Sequence, residues 1–217
     1  GYRAATSTLI GRESLIQPLV EQLATSGGVW NLTGLGGVGK TSLVREVLRR
    51  LETRLPEGST LVRLGDLTEH ETAASACVRA LELTSYDERS DLELLTNALR
   101  MRPLVLVLDD LDCCADSRAL LESLPKAMPA RVIVTSRAPL QVAGATTMAV
   151  PPLDTPPTGL SLEQARQYPS FALFVVRCAL TGGELHSPAW QRAVVRLVQK
   201  LDGLPLAIEL AAVHTKV

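Results

Sequence analysis

The chain has 217 residues, enough for one α/β domain with a core of its own, or for one such domain and a small helical appendage. A hydrophobic share of 46% is ordinary for a globular protein, and an aromatic share of 3% leaves Leu, Val and Ala to fill the interior. The formal net charge of −1 gives no basic footprint for nucleic acid, and no apolar run reaches the ~18 residues of a membrane-spanning helix.

Residues 1–7 hold no apolar core, so no secretory signal is visible and a cytoplasmic location is expected. Gly1 is not a Met and the last residues run within a helical pattern, which suggests a piece of a longer protein. Cys77, Cys113, Cys114 and Cys178 form no Cys-x-x-Cys and no His-paired spacing. Reduced thiols are expected in place of a zinc site.

In chain order, Thr8-Leu9-Ile10-Gly11-Arg12-Glu13 reads as a turn before a helix, whose apolar face is Leu15, Ile16, Leu19, Val20 and Leu23. Pro18 lies inside that pattern and must either start or bend the helix. Val29 to Leu32 is a short apolar run, a first strand. It feeds Gly34-Leu35-Gly36-Gly37-Val38-Gly39-Lys40-Thr41, which fits the phosphate-loop pattern G-x-x-x-x-G-K-[ST]. Leu43, Val44, Val47, Leu48 and Leu51 then keep helical spacing.

The chemistry of this stretch is direct. Four glycines let the backbone approach an anion, and the helix start adds its positive end. Candidate phosphate contacts are Gly34, Gly36, Gly37, Val38, Gly39, Lys40, Thr41 and Ser42. Lys40 reaches the β- and γ-phosphates and Thr41 offers its hydroxyl to Mg²⁺.

A turn at Pro56 leads to a second strand over residues 60–64. A helix is expected over 69–83, a polar connection over 86–90, and a further helix over 91–100 capped by Asp91. Leu104-Val105-Leu106-Val107-Leu108-Asp109-Asp110 reads as a strand buried on both faces and ending in acids, the Walker B pattern. Asp109 is the candidate Mg²⁺ ligand, and Asp110 the candidate to orient or deprotonate water, with Asp112 competing for that role. A helix over 117–124 stops at Pro125. Arg131-Val132-Ile133-Val134-Thr135 is another buried strand, and Arg137 after it suits a sensor of the terminal phosphate. Residues 146–150 read as a fifth, edge strand.

Pro151-Pro152-Leu153-Asp154-Thr155-Pro156-Pro157 marks a boundary, after which alternation of strand and helix stops. Helices are expected over 168–180, 188–201 and from Pro205 on, with Ser187-Pro188 opening the second and Gly203 as a C-terminal cap. The expected organisation is a nucleotide-binding domain over 1–152 and a small helical subdomain over 153–217.

These motifs stand in the order Ile10-Gly11-Arg12-Glu13, phosphate loop, Walker B strand, Val132 to Arg137, and Gly203-Leu204-Pro205-Leu206. That order resembles STAND ATPases, and more narrowly the NB-ARC-like module of large bacterial SARP and LuxR-type transcriptional regulators. The resemblance covers nearly the whole chain. It implies a P-loop fold with a five-stranded parallel sheet flanked by helices, plus a helical domain. It implies ATP and ADP as cofactors with Mg²⁺, Ile10 and Arg12 in the segment contacting adenine, Pro205 near the base, and Arg137 as a sensor. It further implies slow ATP hydrolysis, contacts with flanking domains, and self-association in the ATP state. The winged-helix domain and the His that senses ADP in such proteins have no counterpart here, and His186 and His214 carry no role.

Rival readings are a GTPase, a transporter ATPase, a small-molecule P-loop kinase and a nucleotide switch with negligible hydrolysis. Gln199-Lys200-Leu201-Asp202 has Gln where guanine recognition needs Asn, and sits late in a helical pattern. Leu180-Thr181-Gly182-Gly183-Glu184 follows the Walker B strand where a transporter signature would precede it. A small-molecule kinase stays open from the phosphate loop alone; it would need a lid and an acceptor pocket, and no Arg-rich lid is seen. The hydrolysing and non-hydrolysing switches both stay open, with Asp110 favouring some turnover.

Overall fold

Apolar strands without alternation must be covered on both faces. The computed structural model describes residues 9–55, 57–84, 88–124, 128–180 and 187–214. The readings at Thr8, Pro56, Tyr86, Pro125, Thr181 to Glu184 and His186 lie outside them. Five strands are β1 (Gly28–Thr33), β2 (Ser59–Arg63), β3 (Val105–Asp109), β4 (Arg131–Ser136) and β5 (Thr146–Ala149). They form one sheet in the order β2-β3-β4-β1-β5, and all four pairings are parallel. This is the P-loop sheet that the sequence implied.

The helices among the described residues are α1 (Glu13–Thr25), α2 (Lys40–Leu51), α3 (Ala73–Ala80), α4 (Asp91–Met101), α5 (Ser117–Ser123), α6 (Leu162–Ala165), α7 (Pro169–Leu180), α8 (Pro188–Lys200) and α9 (Pro205–Val213). None is long and apolar enough to cross a membrane. Their contacts gather the chain into two units. One holds Ile16–Gly34 and Lys40–Ala149; the other holds Gly1–Leu15, Leu35–Gly39 and Val150–Val217.

In the sheet unit every residue of β3 is buried, while the edge strands β2 and β5 keep exposed positions. Leu106, Leu108, Val132 and Val134 pack against Ala76 and Cys77 of α3, Leu95 and Leu99 of α4, and Leu120 and Leu121 of α5. β1 hands the chain through α2 towards β2 on one side, and β4 hands it to β5 on the other. The strand order therefore reverses between β1 and β4, the place where open α/β sheets bind ligands. Thr33 and Ser136 face each other at that point.

In the helical unit α7 packs against α8 and α9. Phe171, Phe174 and Cys178 meet Val194, Val198, Ile208 and Ala212. Phe174 also tilts against Trp190 with ring centroids 5.8 Å apart. Arg177 binds Glu209 at 2.7 Å, tying α7 to α9.

Several elements differ from expectation. α3 is eight residues long, because Thr72 caps it in a capping box with Ser75 and residues 69–71 stay outside. Ser90, not Asp91, caps α4, again in a box with Glu93. The second strand ends at Arg63 and passes into a 3-10 turn, Leu64–Asp66. α1 continues through Pro18 and begins before it, at Glu13. α6 was not anticipated.

Gly203 fixes the start of the last helix. Its φ is +66°, and a Cβ there would lie 1.9 Å from the Leu153 carbonyl oxygen. Leu153 N–H also donates to the Gly203 carbonyl at 2.9 Å. Gly203→Ala should lower stability by about 3 kcal/mol. Gly159 has a similar φ of +86° but open space around it, so Gly159→Ala should cost only about 1 kcal/mol. Denaturant unfolding of both variants checks this; equal losses would remove the close-approach account.

Candidate functional site

The sheet unit brings an acid, two hydroxyls and an amine together at the ends of its strands. Asp109 closes β3 and is 3% exposed. Thr41 Oγ1, in the first turn of α2, donates to its carboxylate, 3.0 Å from both oxygens. Thr135 Oγ1, near the end of β4, donates to Asp109 Oδ1 at 2.6 Å. The same Thr135 oxygen accepts the Asp110 N–H at 2.9 Å. A buried carboxylate is costly unless donors face it, and here two hydroxyls do.

Asp110 follows in the left-handed region, with φ 59° and ψ 54°. Asp tolerates that region better than most residues. Its side chain is exposed, and its amide is held by Thr135. Asp112 is engaged differently: its Oδ2 accepts the Arg137 N–H at 2.6 Å. The Arg137 backbone is thus fixed while its residue stays exposed.

Lys40 is 7% exposed and its Nζ donates to the Gly34 carbonyl at 2.7 Å. Burial pushes the ammonium below its ordinary value. Asp110 and Asp112 pull it back up, Arg137 pushes it down again, and Asp109 raises it. Two cations and three carboxylates therefore share one small region of this unit. Ser42 stands exposed on α2. Beneath the site, buried Asn31 and Ser136 are within 2.9 Å, and Ser136 Oγ also reaches the Ala138 carbonyl at 2.6 Å. Ser136 O accepts the Gly34 N–H at 3.2 Å, joining the tip of β4 to the end of β1.

The helical unit holds loop residues Leu35–Gly39. Gly37 and Gly39 have φ of +76° and +97°, a region that favours glycine. A Cβ at Gly37 would come within 2.8 Å of the Leu206 Cβ. Leu206 N–H, in the first turn of α9, donates to the Gly37 carbonyl at 3.1 Å. Arg12 Nη2 donates to the Val38 carbonyl at 3.1 Å. Pro205 adjoins Leu206 as the first residue of α9, and Ile10 packs against the core around Leu153, Phe171 and Phe174. Ile10, Arg12, Gly36, Gly37, Val38, Gly39 and Pro205 thus belong to one unit. Gly34, Lys40, Thr41, Ser42, Asp109, Asp110 and Arg137 belong to the other.

A model of the AAA ATPase domain matches residues 8–135. The chain belongs to the AAA ATPase domain family. It is a nucleotide-binding module, and its relatives include proteins named as regulators. One, named as an HTH-type transcriptional regulator of Mycobacterium tuberculosis, is 33% identical over 193 residues, 85% of this chain and 20% of the relative. The regulatory protein AfsR of Streptomyces griseus is 30% identical over 226 residues, 96% of this chain and 21% of its own. The chain spans about a fifth of the length of these relatives. Among solved structures, a STAND protein with a tetratricopeptide repeat sensor from Pyrococcus horikoshii superposes with a TM-score of 0.61 at 17% identity. That match covers 96% of this chain and 30% of the other, and it shows the fold. The likeness to large bacterial regulators drawn from motif order therefore holds, and the likeness to STAND ATPases holds for the fold.

Sequence reading missed Thr135 as a site residue. A β-branched residue in a buried strand reads as strand filler. The signal lies in the register, which the structure supplies: Leu108 pairs with Val134, which sets Thr135, the penultimate residue of β4, level with Asp109 at the end of β3. Leu206 gives equally little signal, because its contacts with Gly37 are a backbone N–H and an apolar side chain that reads as helix filler. The cysteines are free thiols; burial pushes Cys77 up to about 12, far from a reactive thiolate.

Thr135→Val keeps the shape and removes the hydroxyl. It leaves the Asp110 amide without its acceptor and Asp109 with one donor fewer, a loss of about 2 kcal/mol. Thr135→Ser should recover most of it. Thermal and denaturant unfolding of the pair checks this; an unaffected Thr135→Val would mean that Thr41 suffices to hold Asp109.

Proposed function

We propose that this module binds ATP and ADP, hydrolyses ATP slowly, and acts as a nucleotide switch within a longer regulator of transcription. The observation that carries the reading is the Asp109 carboxylate held between the Thr41 and Thr135 hydroxyls at the strand ends, in the unit that also buries Lys40. The donor set of Thr41 hydroxyl and Asp109 carboxylate is oxygen only, which suits Mg²⁺. Mg²⁺, when bound, would neutralise charge on the β- and γ-phosphates.

The proposed roles follow from what each group is free to do. Loop amides at Gly36, Gly37 and Gly39 and the start of α2 receive phosphate oxygens, the Gly34 and Val38 amides being taken by the Ser136 and Leu35 carbonyls. Lys40 exchanges the Gly34 carbonyl for phosphate. Asp110 orients water and takes its proton, because its carboxylate is exposed while Asp112 is occupied by the Arg137 amide. Arg137, its backbone held by Asp112, reports on the terminal phosphate. Ile10 and Pro205 are proposed to face the base, and Arg12 to serve the nucleotide through the loop. Self-association in the ATP state and contacts with flanking domains are carried over from the resemblance. DNA binding is assigned to other parts of such a regulator.

Isothermal titration with ATP, ADP, GTP and GDP tests the reading, together with phosphate-release assays. Lys40→Ala should weaken ATP binding about 100-fold. Retained affinity would remove the phosphate-loop assignment. Asp110→Asn should keep ATP affinity and lower turnover by about 10²- to 10⁴-fold. Wild-type binding without any turnover would leave a non-hydrolysing switch. Light scattering with a non-hydrolysable ATP analogue should report a larger species than with ADP.

A further inference from the structure

Arg12 presents a physical problem that the nucleotide reading does not solve. It is 5% exposed, so its guanidinium has lost nearly all its water. Burying a cation is unfavourable unless the protein returns hydrogen bonds and opposing charge. Asp154 contributes an attractive charge from the boundary segment, while burial opposes the charged form. The hydrogen bond that Arg12 makes goes to the Val38 carbonyl, at 3.1 Å. A side chain contacting a base would keep its planar face or its donors for the base. This one aims a donor at the backbone of the phosphate loop.

The target matters because of peptide geometry. The Val38 carbonyl and the Gly39 N–H belong to one planar trans peptide and point in opposite directions. Fixing the oxygen fixes the amide. Gly39 has φ +97°, in a region where a glycine-flanked peptide turns over easily. The preceding peptide is pinned in the same way, by Leu206 N–H on the Gly37 carbonyl. Two successive peptides of the loop therefore have their carbonyl sides held by groups from outside it. The Val38 N–H is turned back onto the Leu35 carbonyl at 3.3 Å, so the amide that this pinning orients for an anion is that of Gly39. A guanidinium is suited to this task, since it stays charged at all physiological pH and donates in a fixed plane.

We propose that Arg12 is a positioning residue for the phosphate chain: by holding the Val38 carbonyl it presets the Gly39 amide, and it sets affinity for phosphates and not the choice of base. The proposal rests on the nucleotide-binding reading above and departs from the adenine contact that the family resemblance suggests for this segment.

Affinities of the purified chain for ATP, GTP and inorganic triphosphate separate the two roles. Arg12→Met keeps most of the volume and removes the donors. It should weaken ATP and triphosphate by the same factor, about tenfold, and leave the ATP-to-GTP ratio unchanged. Arg12→Lys, which keeps a cationic donor, should recover part of the loss for both ligands together. Ile10→Ala should do the reverse, altering the ATP-to-GTP ratio and sparing triphosphate. A changed ratio with undiminished triphosphate affinity in Arg12→Met overturns the proposal and makes Arg12 a base contact. Should Arg12→Met melt well below the wild type, Arg12→Leu, which also lacks the donors, takes its place under the same criterion, measured below its own melting temperature. Lys40→Ala measured alongside tells the two failures apart. If it binds triphosphate as wild type does, the nucleotide reading falls; if it loses binding while Arg12→Met does not, only the role of Arg12 falls.

Discussion

A carboxylate at the end of a fully buried strand is stable only if protons are directed at it, and the arrangement around Asp109 follows from that requirement. Thr41 supplies one hydroxyl from the helix that follows the phosphate loop, and Thr135 supplies another from the neighbouring strand. These bonds do more than satisfy the acid. They tie the start of α2 and the ends of β3 and β4 into one frame, so Lys40, one residue before Thr41, is placed by the same bonds. Thr135 then hands its lone pair to the Asp110 amide, which holds Asp110 in a left-handed conformation that a bulkier residue would resist. One hydroxyl thus contacts two consecutive acids, the carboxylate of one and the amide of the next.

The phosphate loop depends on a second set of contacts with a different character. Its middle residues are gathered with the N-terminal segment and the C-terminal helices. There the partners are a buried guanidinium and a backbone amide at the start of α9. Gly37 is glycine for two reasons at once, a left-handed φ and the Leu206 side chain lying 2.8 Å from where a Cβ would be. The pattern of glycines in the loop is therefore set partly by protein packing and not only by the needs of an anion.

Much of this was legible from sequence, for identifiable reasons. The phosphate loop and the run from Leu104 to Asp110 are dense in constraint, and residues of those types at those offsets have few other uses. Strand existence was readable because buried parallel strands lack alternation. Boundaries were less readable. Ser90 lay beside Asp91 and either could cap α4; the presence of Glu93 three residues on favours Ser90, since it completes a reciprocal box. Glu69 and Glu71 are good helix formers and favour an earlier start of α3, but Thr72 overrides them as a cap. Thr135, Arg12 and Leu206 act through register, burial and backbone, three properties that a single sequence does not print.

The strand order has a consequence for how the chain reaches this structure. β1 lies between β4 and β5, so its hydrogen-bond partners are about 100 residues further along. At translation rates of about 5 to 20 residues per second, β1 emerges with the phosphate loop and waits at least several seconds for β4 to exist. During that interval an apolar strand with two unsatisfied edges is exposed, and loop-closure entropy disfavours any early capture by its native neighbours. The motif that defines the module is therefore made first and completed late, and its nascent form is the stage most open to misassociation.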